Sequence, residues 1–415
     1  MTCVSSPSFS ISLNGGMFGF FKGKKGLRQG DHVSPLLFVL VMEYFTRILR
    51  KMSRREDFGF HYRSGLKITH LVFADDLMMF YKGELRSMML LIRALKTFYR
   101  ASGLQANKDK SAIYFGNVTE EIQQRIIQVS GFTKGQFPFR YLGVPITSKR
   151  LTIANCDVLV DRIMRRVLCW TSRNLYYGAR NVLINSVLLS IHTYWSQIFM
   201  LPKGVLLKII HIVRAFLWEG NSHIHKPPLV SWDWVGKPKS KGGLGVRNCV
   251  VWNNADIGKY TWQIAQKDDS LWIKWIHSIY IRDANWWEYQ PRGNVSWTWK
   301  LICRVRDLFK EAYHNNQWLD GSKAYSIKEG YKWLSGTQES VSWHHWVWIP
   351  VNTPKHAFIS WLAALDRLRT RERLKMAGFR GGSWLWLRCP HHAGADFAAS
   401  SSELPLLTGA PAQIG

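Results

Sequence analysis

The chain has 415 residues, 47% of them hydrophobic, and 56 Lys plus Arg against 28 Asp plus Glu give a formal net charge of +28 at pH 7. Length and apolar content exceed one ordinary domain and predict two or three, each able to bury a core. The charge points to a polyanionic partner, nucleic acid first, and names no reaction; six scattered cysteines without pairing spacings argue against a disulfide framework and suit the reducing cytoplasm or nucleus.

In chain order, FSISLNGGMFGFF (9 to 21) reads as a hairpin whose Asn-Gly-Gly turn supplies positive φ. No helix cap or targeting pattern precedes it, which predicts a chain that begins inside a domain. After the loop KGKKGLRQGDHV, Ser34-Pro35 opens a helix to about residue 52, with serine as cap; LLFVLVMEYFTRILRKM is apolar on most faces and therefore expected to be buried. KITHLVF and LMMFYKG, joined across Ala-Asp-Asp, read as a second hairpin. A helix follows over 84 to 102 with Leu91, Leu95, Phe98 and Tyr99 on one face and Gly103 as its stop, and SAIYFGNV is a strand. This order predicts an α+β layer, a sheet backed by helices.

Beyond FPFRYLGVPI (137 to 146) the periodicity becomes helical, with Leu159, Ile163, Val167 and Trp170 on one face and Arg162, Arg165 and Arg166 beside them. VLINSVLLSIHTYWSQIFMLP (182 to 202) nears membrane-span length, but its polar residues favour a buried helix. GKPKSKGGLGVRN (236 to 248) is a basic loop, and most of the 21 tryptophans follow it. Periodic pairs such as Trp272 with Trp275, or Trp343 with Trp346, are assigned to shared, packed helix faces, with a minority of the tryptophans left to stack on bases. The text after Pro390 loses every Lys, Arg and Trp and reads as a disordered tail. The expected divisions are 1–150, 151–235, 236–324, 325–392 and 393–415.

Chemically, the informative stretch is LVFADDLMMF (71 to 80). Asp75 and Asp76 repel each other unless a cation reverses the electrostatics, and a hard divalent ion such as Mg²⁺ takes carboxylate and phosphate oxygens. A solvated hairpin tip is the competing reading of two aspartates in isolation. The context favours the first. GLRQGDHVSPLLFVLVMEYFTRIL (26 to 49), LVFADDLMMF, SGLQANKDKS (102 to 111) and FRYLGVPI (139 to 146), in that order, resemble the reverse transcriptases of plant non-LTR retrotransposons, the long interspersed elements.

The resemblance implies a polymerase palm over 1–150, a helical thumb or connection over 151–235, and a zinc-binding region over 325–392. It implies Mg²⁺ as cofactor, with Asp75 the principal ligand and Asp76 its companion, and an RNA template, a DNA primer and dNTPs as partners. Arg28, Gln29 and Gly30 would contact template and incoming nucleotide, together with Phe73. Gln29 offers amide donors and acceptors, Arg28 meets phosphate, and Gly30 allows close approach. His32 and Val33 depart from the family's usual Pro and Leu.

Lys108 and Lys110 are candidates for triphosphate or primer phosphate, against an ordinary solvated reading. Phe139 to Pro145 resembles the primer-grip side, and Arg162, Arg165 and Arg166 form a basic face where a thumb grips nucleic acid. Two-metal catalysis needs a further carboxylate. The acids before Asp75, namely Asp31, Glu43, Glu56 and Asp57, lie outside any apolar strand. The expectation is therefore an N-terminally truncated reverse transcriptase, inactive alone; a non-catalytic nucleic-acid-binding remnant is the alternative. At the other end Cys389 and His392 supply half a tetrahedral zinc site, with His344, His345 or His356 the nearest completing ligands, so bound zinc is not expected. No secretory signal or membrane span is expected.

Overall fold

The computed structural model describes residues 8–23, 30–60, 66–147, 149–171, 175–222, 228–314, 325–337 and 339–368. It falls into two compact units, Met1–Phe358 and Ile359–Gly415. Strands and helices together make an α+β protein, as the sequence implied.

β1 (Ser8–Leu13) and β2 (Gly16–Lys22) pair antiparallel across Asn14 and Gly15, both with positive φ, 50° and 82°. Such a turn matches the twist of the two strands. The hairpin forms as expected, yet Ile11, Leu13, Met17, Phe18, Phe20 and Phe21 are each more than half exposed.

α1 (Ser34–Ser53) corrects two expectations. Val33, already helical, occupies the cap position, and its N–H donates to Asp31 Oδ1 at 3.2 Å, so Ser34 is not the capping residue. Nor is the helix buried on most faces. Phe45 and Leu49 are buried, whereas Leu36, Val39, Leu40 and Tyr44 are exposed, since no described element covers that side.

β3 (His70–Phe73) and β4 (Asp76–Met79) follow, then α2 (Leu85–Ser102), which stops at Gly103. Leu91, Ala94, Leu95 and Phe98 of α2 close a core with Phe45, Leu49 and Phe58; Phe45 and Phe98 lie 4.8 Å apart by ring centroids. Leu77 and Met79, two apart on β4, pack against that core and seat the hairpin on it.

The expected strand in SAIYFGNV shrinks to β5 (Ala112–Ile113), which runs parallel to β6 (Thr133–Lys134) across α3 (Glu120–Ser130). β7 (Phe139–Tyr141) and β8 (Val144–Ile146) form a further hairpin, and Phe139 stacks on Tyr114 at 4.0 Å. The described strands thus make four separate two-stranded ladders, where a single layer was expected.

The remainder is helical. α4 (Asp157–Thr171) buries Leu159, Ile163 and Val167 and sets Trp170 at a tilt 5.5 Å from Phe216 of α7 (Lys203–Glu219). Between them α5 (Tyr177–Leu183) runs into a π turn, Ile184–Leu188, and on into α6 (Leu189–Ser196). No described helix is long and apolar enough to cross a membrane.

α8 (Trp232–Gly236) precedes a single 3₁₀ turn, Lys239–Lys241. α9 (Cys249–Gln266) is capped by the Asn248 side chain. α10 (Leu271–Ile276) with a second π turn, α11 (Trp297–His314) and α12 (Ile327–Leu334) complete a core in which Trp286, Trp287 and Trp299 are buried. Arg306, also buried, donates to the Trp286 carbonyl at 2.9 Å and through Nε and Nη2 to Asp307 Oδ1 at 2.9 and 2.6 Å, so its charge is met by a carboxylate at the edge of that aromatic core.

α13 (His344–Val347) and α14 (Pro354–Ala364) end the described chain. Trp343 and Trp346 do not share a packed face. Trp343 is the cap of α13, outside the helix, while Trp346 is 71% exposed.

Candidate metal and nucleic-acid site

The β3–β4 ladder pairs Phe73 directly with Asp76, leaving Ala74 and Asp75 as a two-residue connection. Ala74 holds φ at 49°, a left-handed conformation that costs a residue with a Cβ about 1–2 kcal/mol. The consequence is that Asp75 sits at the apex and Asp76 opens β4, both exposed. Among the described residues neither carboxylate has a hydrogen bond or an ion pair of its own. Adjacent like charges held at an apex without a protein cation to share are a donor set for a hard divalent ion, which prefers carboxylate oxygen.

The base of the hairpin is fixed differently. His70 Nε2 lies 3.0 Å from Thr46 Oγ1 of α1, and its Nδ1 lies 2.8 Å from Thr69 Oγ1. Burial pushes the His70 pKa down, helped by the Arg50 cation and opposed by Glu43, so the ring is neutral at pH 7 and acts as a clasp between strand and helix. Sequence reasoning passed over this pair; a His and a Thr in two otherwise apolar segments were the available signal.

Phe73, beside Asp76, is 60% exposed, and Leu71 and Val72 are also open, so the approach to the carboxylates is apolar on the β3 side. Gly30 has φ of 91° and open space where a Cβ would stand, so its need is conformational. Arg28 and Gln29 lie outside the described residues. Lys108 and Lys110 are exposed in the loop after α2, where Asn107 Oδ1 accepts the Asp109 and Lys110 N–H groups. Arg162, Arg165 and Arg166 are exposed on α4, opposite buried Ile163 and Val167, and form no ion pair with a described carboxylate.

Among the described residues no three His, Cys, Asp or Glu side chains gather into a metal site. Asp31, Glu43, Glu56 and Asp57 do not join the aspartate pair, and Glu43 pairs instead with Arg47 at 3.1 Å. His344, His345 and His356 form no such group either, while Cys389 and His392 lie outside the described residues.

Residues 2–146, which contain the hairpin, match the family described as reverse transcriptase (RNA-dependent DNA polymerase). This segment is reverse-transcriptase sequence. Residues 325–392 match the family described as zinc-binding in reverse transcriptase, so a second segment of the chain carries the same kinship. A putative ribonuclease H protein of Arabidopsis thaliana is 30% identical over 198 residues, 46% of this chain and 31% of the relative. A retrovirus-related Pol polyprotein from a type-2 retrotransposable element of Drosophila melanogaster is 26% identical over 249 residues, 57% of this chain and 22% of that protein. An uncharacterised mitochondrial protein of Arabidopsis is 24% identical over 141 residues, 92% of its length. The chain spans about a third or less of the two long relatives, and its kinship is with the non-LTR retrotransposon polymerases.

Proposed function

We propose that this chain carries one half of the polymerising centre of a retrotransposon RNA-directed DNA polymerase, with Asp75 and Asp76 as ligands for Mg²⁺. The observation that supports this most is the pair of unpartnered carboxylates at the strained apex of β3–β4, within the segment that matches the reverse transcriptases. When bound, the ion would help activate a primer hydroxyl and stabilise the departing pyrophosphate. The residues themselves do the positioning. Ala74 turns the chain so that Asp75 stands at the apex and Asp76 at the head of β4, and Leu77, Met79 and His70 hold that turn against the α1–α2 core. Phe73 offers an apolar surface to a base or sugar beside the carboxylates, and Arg162, Arg165 and Arg166 offer phosphate contacts to template or primer.

Two-ion chemistry requires a further carboxylate, and none joins the pair among the described residues. That observation also supports a second reading, a chain that binds nucleic acid without polymerising. The test is primer extension on an RNA template with dNTPs and Mg²⁺, using this 415-residue chain and a fusion bearing an additional aspartate strand from an intact relative. Extension by the fusion alone, lost on Asp75→Ala, supports the polymerase reading. Extension by neither leaves the binding reading. Extension that survives Asp75→Ala overturns the role given to the hairpin.

A further inference from the structure

A second surface, far along the sequence from the aspartates, has a different chemistry. Between α8 and α9 the chain reads KPKSKGGLGVRN, and residues 228–248 hold one acid, Asp233, against Lys237, Lys239, Lys241 and Arg247. Tryptophans from both sides enclose this loop. Lys237 Nζ sits 3.6 Å above the Trp234 ring, and Lys239 Nζ sits 4.6 Å from the Trp348 ring centroid. A Cβ on Gly242 would stand 3.0 Å from Trp234 and 3.2 Å from Trp343, so the backbone passes between two indoles. The Val341 N–H donates to the Ser240 carbonyl at 3.1 Å and ties the loop to the segment leading into α13.

The cation–π contacts explain how the loop is held, but they leave its charge uncompensated: none of the three lysines pairs with a described carboxylate. They also leave Trp346 without work in the fold. It projects from α13 at 71% exposure, with one neighbour ring, His345, at 4.9 Å. Its backbone is tied down, because Asn352 Nδ2 donates to the Trp346 and Val347 carbonyls at 3.2 and 3.0 Å. An exposed indole on a helix that packs against the Lys239–Lys241 turn and its unneutralised ammonium groups matches the demands of unstacked bases on a phosphate backbone.

We propose that the Lys237–Lys241 loop with Trp346 is a docking site for single-stranded polynucleotide, the base stacking on Trp346 and the phosphates meeting Lys237, Lys239 and Lys241. A duplex hides its base faces in its own stack and would use the charge alone; an acidic peptide or an anionic membrane would also use the charge and gain little from one flat ring. The site rests on no polymerase step, and it is distinct from the Arg162, Arg165 and Arg166 face.

The test is fluorescence anisotropy of the full chain with a labelled 12-nucleotide RNA and with the corresponding duplex, at low and moderate salt. Trp346→Ala should weaken single-strand binding about fivefold to 150-fold and leave duplex binding unchanged, as expected for loss of one stacked base. Trp346→Phe should restore part of it. Lys237→Glu, Lys239→Glu and Lys241→Glu combined should weaken both and flatten the salt dependence. Single-strand affinity unchanged in both the Trp346→Ala and triple-lysine variants overturns the proposal, as does an equal loss for single strand and duplex on Trp346→Ala. Binding to vesicles of anionic lipid that Trp346→Ala and the lysine variants abolish, with RNA binding untouched, overturns it in favour of a membrane. Charge reversal at Arg162, Arg165 and Arg166 is run in parallel. Failure of that arm alone counts against the thumb-like reading of α4 and not against this site.

Discussion

Asp256 is predicted to make stability fall as pH rises. It lies 1% exposed on α9, where Ser196 of α6 donates its hydroxyl to Oδ2 while Oδ1 has no partner. Burial pushes its pKa up to about 7 from the ordinary 3.8, against the weaker opposing effects of the Ser196 hydrogen bond and the Arg247 cation. His192, buried one turn before Ser196, is held below its ordinary value by burial and contributes no charge of its own at neutral pH. The folded state thus keeps a proton that the unfolded chain releases near pH 4. The stability from this group is complete below about pH 4 and is lost as pH climbs through 7. A displacement of about three pKa units corresponds to about 4 kcal/mol. Asp256→Asn removes the titration. Urea unfolding of the substituted and native chains between pH 4 and 8 should give stability differences that grow in favour of Asn by about that amount. The absolute offset depends on how the new amide is satisfied, so the slope is the readout. Parallel curves would show that Asp256 is ionised throughout and refute the burial argument.

Two other outcomes follow from the N-terminal part. Ala74→Gly should stabilise the chain by about 1 kcal/mol in the same urea assay, because glycine adopts φ of 49° without the Cβ clash; a loss of stability would mean the turn is not strained as drawn. Leu36→Lys and Leu40→Lys, each at 66% exposure, should change stability by less than about 0.5 kcal/mol and reduce self-association in sedimentation. A cost well above that would show this face of α1 to be packed.

The hairpin around the aspartates was legible because its evidence is local: two apolar runs flank two acids, and the packing of Leu77 and Met79, two apart on β4, against the core fits strand geometry. The burial of α1 was not legible, since an apolar sequence states what a helix could bury and not whether a partner stands opposite Leu36 or Leu40. Asp256 was missed for a related reason. One acid among CVVWNNADIGKY looks like ordinary helix text, and only the approach of Ser196, sixty residues earlier, makes it a buried carboxyl. The basic loop was readable as basic, but its indoles come from Trp234 on one side and Trp343, Trp346 and Trp348 on the other, a distance in sequence that no window spans. Arg28, Gln29, Cys389 and His392 fall outside the described residues, and their roles stand as the sequence left them.

The π turn between α5 and α6 gives this chain a phase that a single codon could erase. One residue in an α-helix is about 100° of rotation, and a π turn holds one residue more than the α turn it replaces. Before Ile184 the helix addresses α7 and the loop carrying Leu244, through Arg180 and Asn181; after Leu188 it addresses α9, through Ser196. Deleting any one residue from 184–188 would let the segment relax to α-helix and swing Ser196 about a quarter-turn away from Asp256 and Asn253, with hardly any change in composition or helix content. Two copies of such an element differing by that deletion would look alike in sequence and yet would not share this interface.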